Sequence, residues 1–159
     1  MKKIMVVMGS DSDWKVMKLA IETLKGFEID CDARVVSAHR TPEDLQPFAK
    51  ECEESNVGAI IAGAGGAAHL PGMLASYTYL PVIGVPVKGS STDGMDSLYS
   101  IVQMPKGVPV ATVGINNATN AALLAIRIIA SFDEETQQKL EDFREKQKRE
   151  SRLKTSNLV

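Results

Sequence analysis

Ile4-Met5-Val6-Val7-Met8-Gly9-Ser10-Asp11-Ser12-Asp13-Trp14 is the stretch on which the fold of this chain turns. Its five consecutive apolar residues lack the alternation of a half-exposed strand and suit a strand buried on both faces. Gly9 closes the run and a short polar stretch follows. From residue 13 onward Trp14, Met17, Ile21 and Leu24 recur at helical spacing, and Gly26 is a suitable stop.

Outward from this unit the rhythm repeats. Ala33-Arg34-Val35-Val36 predicts a second strand and residues 37–40 a loop, and Thr41 and Pro42 open a helix, with Thr41 and Asp44 in capping-box positions. Leu45, Phe48, Ala49 and Cys52 form that helix's apolar stripe. Ala59-Ile60-Ile61-Ala62 predicts a third strand, residues 63–66 a glycine-rich loop, and residues 67–77 a helix. A fourth strand covers residues 82–87 despite Pro86. Residues 88–94 read as loop, and Met95, Leu98, Ile101 and Val102 mark a short helix.

Residues 108–115 predict a fifth strand, with Asn116 and Asn117 as caps for a helix through residues 121–126 that is apolar nearly all round and must be covered on most sides. Ser131 and Glu134 suggest a last capping box. Residues 135–154 are charged, with Glu135/Lys139, Asp142/Lys146 and Glu145/Arg149 four apart, and predict a long helix that is exposed or lies between subunits.

Five alternations of strand and helix imply a mainly parallel sheet covered on both faces, because parallel strands need right-handed crossovers. The expected class is α/β, a three-layer αβα, flavodoxin-like fold with five parallel strands and a long C-terminal helix. An eight-stranded barrel needs about 250 residues, which a chain of 159 does not have. One domain is expected over residues 1–159, an α/β core over 1–131 and a helical extension over 132–159.

A hydrophobic fraction of 44% with 24% charged residues belongs to chains that fold and excludes disorder. The net charge of −2 provides no general field for a nucleic acid, so no such partner is expected and any anionic ligand must be held locally. Met1-Lys2-Lys3 hints at a signal peptide, but the apolar run behind it is too short. With no run of about 18 apolar residues, no membrane partner is expected and the location expected is cytoplasmic. Cys31 and Cys52 form no C-x-x-C pair and read as buried, reduced thiols.

In an open parallel sheet, loops that leave strands emerge along one edge, where ligands bind. The first three such loops contain Gly9-Ser10-Asp11-Ser12-Asp13, Ser37-Ala38-His39-Arg40-Thr41 and Gly63-Ala64-Gly65-Gly66-Ala67-Ala68-His69, and so hold both histidines of the chain. In the first, a helix N-terminus with Ser10 and Ser12 suits a phosphate, while one of the two acids suits a ribose diol; Asp11 or Ser12 could equally be a helix cap. His39-Arg40 joins a side chain suited to carrying protons to a fixed cation able to grip phosphate. The third loop matches G-x-G-x-x-A, yet the nearest downstream acid is Asp93, in a later loop, which speaks against a dinucleotide site. Its small residues let backbone approach a flat heterocycle. His69 reads equally as ligand contact or structural residue. A metal would have to draw on His39, His69, Asp11 and Asp13 from separate loops without a ligand motif, so none is expected.

Together these loops, with Leu70-Pro71-Gly72 after the third, resemble the class I N5-carboxyaminoimidazole ribonucleotide mutases. So do Pro81-Val82-Ile83-Gly84-Val85-Pro86-Val87, the run from Asp96 through Gln103-Met104-Pro105, and Asn120-Ala121-Ala122-Leu123-Leu124-Ala125. The likeness extends to about Ile129. It implies a purine-synthesis isomerase that passes a carboxylate from the exocyclic nitrogen to the neighbouring ring carbon through carbon dioxide held in the pocket, without cofactor or ATP. On it, His39 is the general acid/base. Ser10, Ser37 and Arg40 hold the phosphate region and Asp13 the ribose, and the stretch Gly63, Ala64, Gly65, Gly66, Ala67 and His69 encloses the base. Ser12, Ala38 and Leu70 complete the substrate site.

The resemblance further implies a homo-octamer in which the last helix reaches a neighbour, and a transient contact with the ATP-dependent carboxyaminoimidazole ribonucleotide synthase that makes the substrate. Residues 114–119 are shorter than the family's usual Gly-Lys-Ala-Gly-bearing loop. Two rivals stand beside this reading: a class II carboxylase that fixes free carbon dioxide with similar loops, and a non-catalytic nucleotide-binding module on the same fold.

Overall fold

The computed structural model of the chain describes residues 2–158; Met1 and Val159, the outer limits of the expected domain, lie outside them. Strand β1 (Lys3–Met8) leads through a 3-10 turn (Asp11–Asp13) to α1 (Trp14–Gly26), then β2 (Cys31–Val35), α2 (Leu45–Glu54), β3 (Val57–Gly65) and α3 (Leu70–Tyr77). There follow β4 (Val82–Val87), α4 (Met95–Val102), β5 (Ala111–Thr112), α5 (Ala118–Ala130) and α6 (Glu134–Leu153). All pairings are parallel, in the order β2-β1-β3-β4-β5. The fold is the five-stranded, flavodoxin-like α/β fold expected. Its order reverses between β1 and β3, which is where such sheets open a crevice.

Side chains alternate across a strand, so β1 feeds two cores. Ile4, Val6 and Met8 join Met17, Leu24, Ala59, Ile61 and Val85 under α1 and α5, and Leu140 and Phe143 of α6 pack on the outside. Met5 and Val7 join Leu45, Phe48, Ile60, Leu70, Leu74 and Ile101 under α2, α3 and α4. The apolar α5 is covered as its sequence demands: Ala121, Ala122, Ala125 and Ile126 are fully buried.

Several boundaries differ from the sequence reading, each for a local reason. The third strand continues through Gly63 to Gly65, which therefore are not loop: Gly63 pairs in register with Met8 and Val85, and Gly65 with Val87. Residues 108–115 provide only two strand residues, Ala111 and Thr112. The predicted helix start at Thr41 is instead a 3-10 turn (Pro42–Asp44), and the Thr41 hydroxyl donates back to the Ser37 carbonyl at 3.3 Å rather than capping. Asn117 does cap α5, its Oδ1 accepting from the Asn120 amide at 3.1 Å. The cap of α6 is Asp133, which accepts from the Thr136 amide at 2.8 Å, while Ser131 closes α5 by donating to the Arg127 carbonyl at 3.1 Å.

On α6 the Glu135–Lys139 pair forms at 2.9 Å, and Lys139 also reaches Glu28 at 2.8 Å. Asp142 instead accepts from Gln138, and Glu145 pairs with Lys148. Both cysteines are free, Cys52 buried and Cys31 half-buried. Among the described residues no helix is long and apolar enough to cross a membrane.

Candidate active site

Parallel strands release all their following loops at one edge, and there the chain encloses a cavity of about 830 Å³. Its wall includes Gly9, Ser10, Ser12 and Asp13 after β1, Ser37, Ala38, His39 and Arg40 after β2, and Ala64, Gly65, Gly66, Ala67, His69 and Leu70 at the end of β3 and beyond.

After β1 the backbone of Ser10 is extended, and its hydroxyl oxygen accepts from the Ser12 amide at 3.3 Å, so Ser10 is the cap of the 3-10 turn. That turn carries Asp13 inward until only 8% of its surface is exposed. Burial pushes the Asp13 carboxyl above the usual carboxylate range, with Asp11 adding to the rise. A backbone hydrogen bond at Ser10 and the charge of Arg40 oppose it. A carboxylate desolvated in this way is a strong acceptor for hydroxyl donors supplied by a ligand.

After β2, Arg40 is pinned. Its Nε donates to Ser37 Oγ at 3.0 Å and its Nη2 to the Gly9 carbonyl at 3.1 Å, so the guanidinium spans the gap between the first two loops. Three of its five N–H donors remain for an anion. His39 extends the other way, across the mouth of the β3 loop. Its Nε2 lies 2.8 Å from Nδ1 of His69, with the rings edge to face at 85° and centroids 4.9 Å apart. One of these nitrogens must donate and the other accept, so a single hydrogen lies between the rings and the tautomer of each fixes that of the other.

Beyond β3, Gly66 takes the left-handed conformation (φ 62°). A Cβ on Gly65 would stand 3.2 Å from the Val87 carbonyl, so small residues here let two strands and a ligand approach closely. Gly63 departs from its expected place in the substrate site. It does not line the cavity; its space is filled by Met17, whose sulfur would stand 2.2 Å from an added Cβ. The glycine answers to helix packing rather than to a ligand.

The sequence reading missed Lys15, Val87, Lys88, Gly89, Ser90 and Asn116, which complete the wall. Val87 ends β4 and Lys88, Gly89 and Ser90 follow it, so the rule that pointed to the first three loops reaches them too once the place of β4 beside β3 is known. Asn116 was legible only as a cap. In the fold it sits beyond β5 with φ 59° and faces the end of β4. Among the described residues no three His, Cys, Asp or Glu side chains gather as a metal-ligand set.

The chain matches the AIR carboxylase family model over residues 3–150. It is 60% identical to the N5-carboxyaminoimidazole ribonucleotide mutase of Saccharolobus solfataricus over 145 residues, 91% of this chain and 92% of that protein. To the enzyme of the same name from Thermotoga maritima it is 56% identical over 158 residues, 99% of this chain and 92% of the other. Among solved structures, Treponema denticola PurE superposes with a TM-score of 0.91 at 30% identity, covering 100% of this chain and 99% of that one.

Proposed function

The chain belongs to the AIR carboxylase family, and from that premise we propose how its edge cavity works as an N5-carboxyaminoimidazole ribonucleotide mutase of purine biosynthesis. The enzyme is an isomerase that turns N5-carboxyaminoimidazole ribonucleotide into 4-carboxyaminoimidazole ribonucleotide. The observation that supports the mechanism is the His39–His69 contact at 2.8 Å on the cavity wall, which suits an oriented proton carrier.

The steps balance with one proton. His39 gives it to the exocyclic nitrogen as the bond from that nitrogen to the carboxylate breaks, leaving an amine and carbon dioxide. The electron-rich ring carbon C4 attacks the carbon dioxide, and the C4 hydrogen returns as a proton to His39, restoring the aromatic ring. General acid–base transfer of this kind contributes about 10²–10⁴-fold. His69 holds the ring and tautomer of His39. Ser10, Ser12, Ser37 and Arg40 hold the phosphate, Asp13 the ribose hydroxyls, and Ala38, Ala64 and residues 65–70 close over the base and keep carbon dioxide from water.

The half of α6 beyond Phe143, almost wholly exposed, and Phe132, 91% exposed, support assembly into a homo-octamer with α6 reaching a neighbour. A cytoplasmic location and a transient contact with the ATP-dependent synthase complete the proposal.

The test is turnover of N5-carboxyaminoimidazole ribonucleotide at low bicarbonate. A mutase works there; conversion only of the uncarboxylated ribonucleotide with added bicarbonate would make the chain a class II carboxylase.

A further inference from the structure

The loops around the cavity come from strands in the order β2-β1-β3-β4-β5. Reading along that edge, Arg40 and Ser37 follow β2, Ser10 and Asp13 follow β1, and residues 65–70 end β3. With the phosphate placed on Arg40, Ser37 and Ser10, the ribose on Asp13 and the base on residues 65–70, as proposed above, the next loop along, after β4, stands where the base carries its carboxylate. Lys88 opens that loop. From β2 to β4 is three strand spacings of about 4.8 Å, ~14 Å in all, so Arg40 and Lys88 serve opposite ends of a ligand rather than one phosphate.

Lys88 is also built in. Its amide donates to Asn116 Oδ1 at 2.8 Å, and the Asn116 amide donates to the Pro86 carbonyl at 2.8 Å, so one side chain and one backbone group of Asn116 grip β4 on either side of Val87. Asn116 reaches this position in a left-handed conformation, φ 59°, which asparagine tolerates better than most residues. The hydroxyl of Ser97, fully buried, stands 2.9 Å from the carbonyls of both Val87 and Gly94, tying the two ends of the loop together. The backbone of Lys88 is thus fixed on the cavity wall, while only its side chain reaches toward solvent. That side chain is half exposed and its ammonium rests on Asp93 at 2.7 Å, where Asp93 is 83% exposed. An ion pair so open to water is weak and readily exchanged for another carboxylate in a more enclosed place.

We propose that Lys88 is a substrate-binding residue that leaves Asp93 for the migrating carboxylate of the ribonucleotide, and that Asn116 is its positioning residue. The proposal rests on the mutase reading of the cavity. It gives the β4 loop a specificity role: recognition of the carboxylated ribonucleotide against its decarboxylated counterpart.

Titration calorimetry of the full chain with 4-carboxyaminoimidazole ribonucleotide and with the uncarboxylated aminoimidazole ribonucleotide tests it. Lys88→Met should weaken the carboxylated ligand by about 10-fold or more, the loss expected of a charge-assisted hydrogen bond, and the uncarboxylated one by no more than about twofold. Asn116→Ala should show the same selectivity at roughly a third of the effect, and Asp93→Asn, which removes the competitor, should tighten the carboxylated ligand by about twofold. Lys88→Arg should restore the discrimination, which guards against a Lys88→Met variant that folds poorly. Equal weakening of both ligands by Lys88→Met would assign Lys88 to the phosphate and overturn the proposal, as would no change in either. Wild-type protein that binds neither ribonucleotide would remove the mutase reading itself, a result visible before any variant is made.

Discussion

Within β3 the chain changes character. Residues 59–62 are completely buried, and Ile60 and Ile61 face opposite cores. By Gly65 the strand is exposed, and the loop beyond presents His69 to His39. The first half is selected for volume: among the described residues no buried side-chain polar atom lacks a partner. The second half is selected for donors, protons and room. At the same edge, Asp13 is held with its carboxyl desolvated, an arrangement that disfavours the charged, folded state. The interior thus supplies stability, and the edge spends part of it on a pocket ready for ligand.

The contrast is sharpest at His39. Replacing it with Asn should lower turnover by at least about 100-fold while moving the unfolding temperature very little, because its principal contact is the one ring of His69. Steady-state rates and a thermal melt check this together. Unchanged turnover would remove His39 from the mechanism.

Gly63→Ala tests the other side. The new methyl would meet the sulfur of Met17, which is fully buried, so a loss of about 1–3 kcal/mol in denaturant unfolding is expected, with activity per folded molecule kept. If activity fell instead and stability held, Gly63 would belong to the edge after all.

Asp13→Asn crosses the boundary. Activity should fall by about tenfold or more with the loss of a charged acceptor for the ribose, and stability at neutral pH should rise. The sign follows from the raised carboxyl. The folded state holds the Asp13 proton more tightly than the unfolded state does, so its contribution is complete below the ordinary value of 3.8 and is lost as pH climbs through the raised one. The melting advantage of the variant should therefore be present at pH 7 and vanish below pH 3.8, as melts across that range would show.

Much of this was legible in the residues. The unbroken apolar run of β1 announced a strand buried on both faces, β4 was legible despite Pro86, and the loops around Ser10, His39 and His69 announced the candidate site. The misreadings share a cause. Glycines signal loops because their backbone is permissive, yet Gly63 and Gly65 are paired strand residues, required by Met17 and by the Val87 carbonyl. The apolar residues of 108–115 point to a strand, but Val110 and Val113 are used for packing on opposite cores, with only Ala111 and Thr112 between them in the ladder. Lys88 carried no local signature, and Asn116 only that of a helix cap. Their roles depend on which strands are neighbours, and periodicity does not encode neighbourhood.

The sheet is thinnest where β5 joins it, through the pairs Ile83–Ala111 and Gly84–Thr112. Beyond them Asn116 acts as a stitch that continues the seam past the last strand residue. An edge held so lightly breathes more readily than the rest of the sheet, and each opening loosens the stitch and the wall of the cavity in one movement. A ligand seated against that wall therefore quiets the margin of the sheet where β5 joins it, and filling the pocket firms the protein where it frays first.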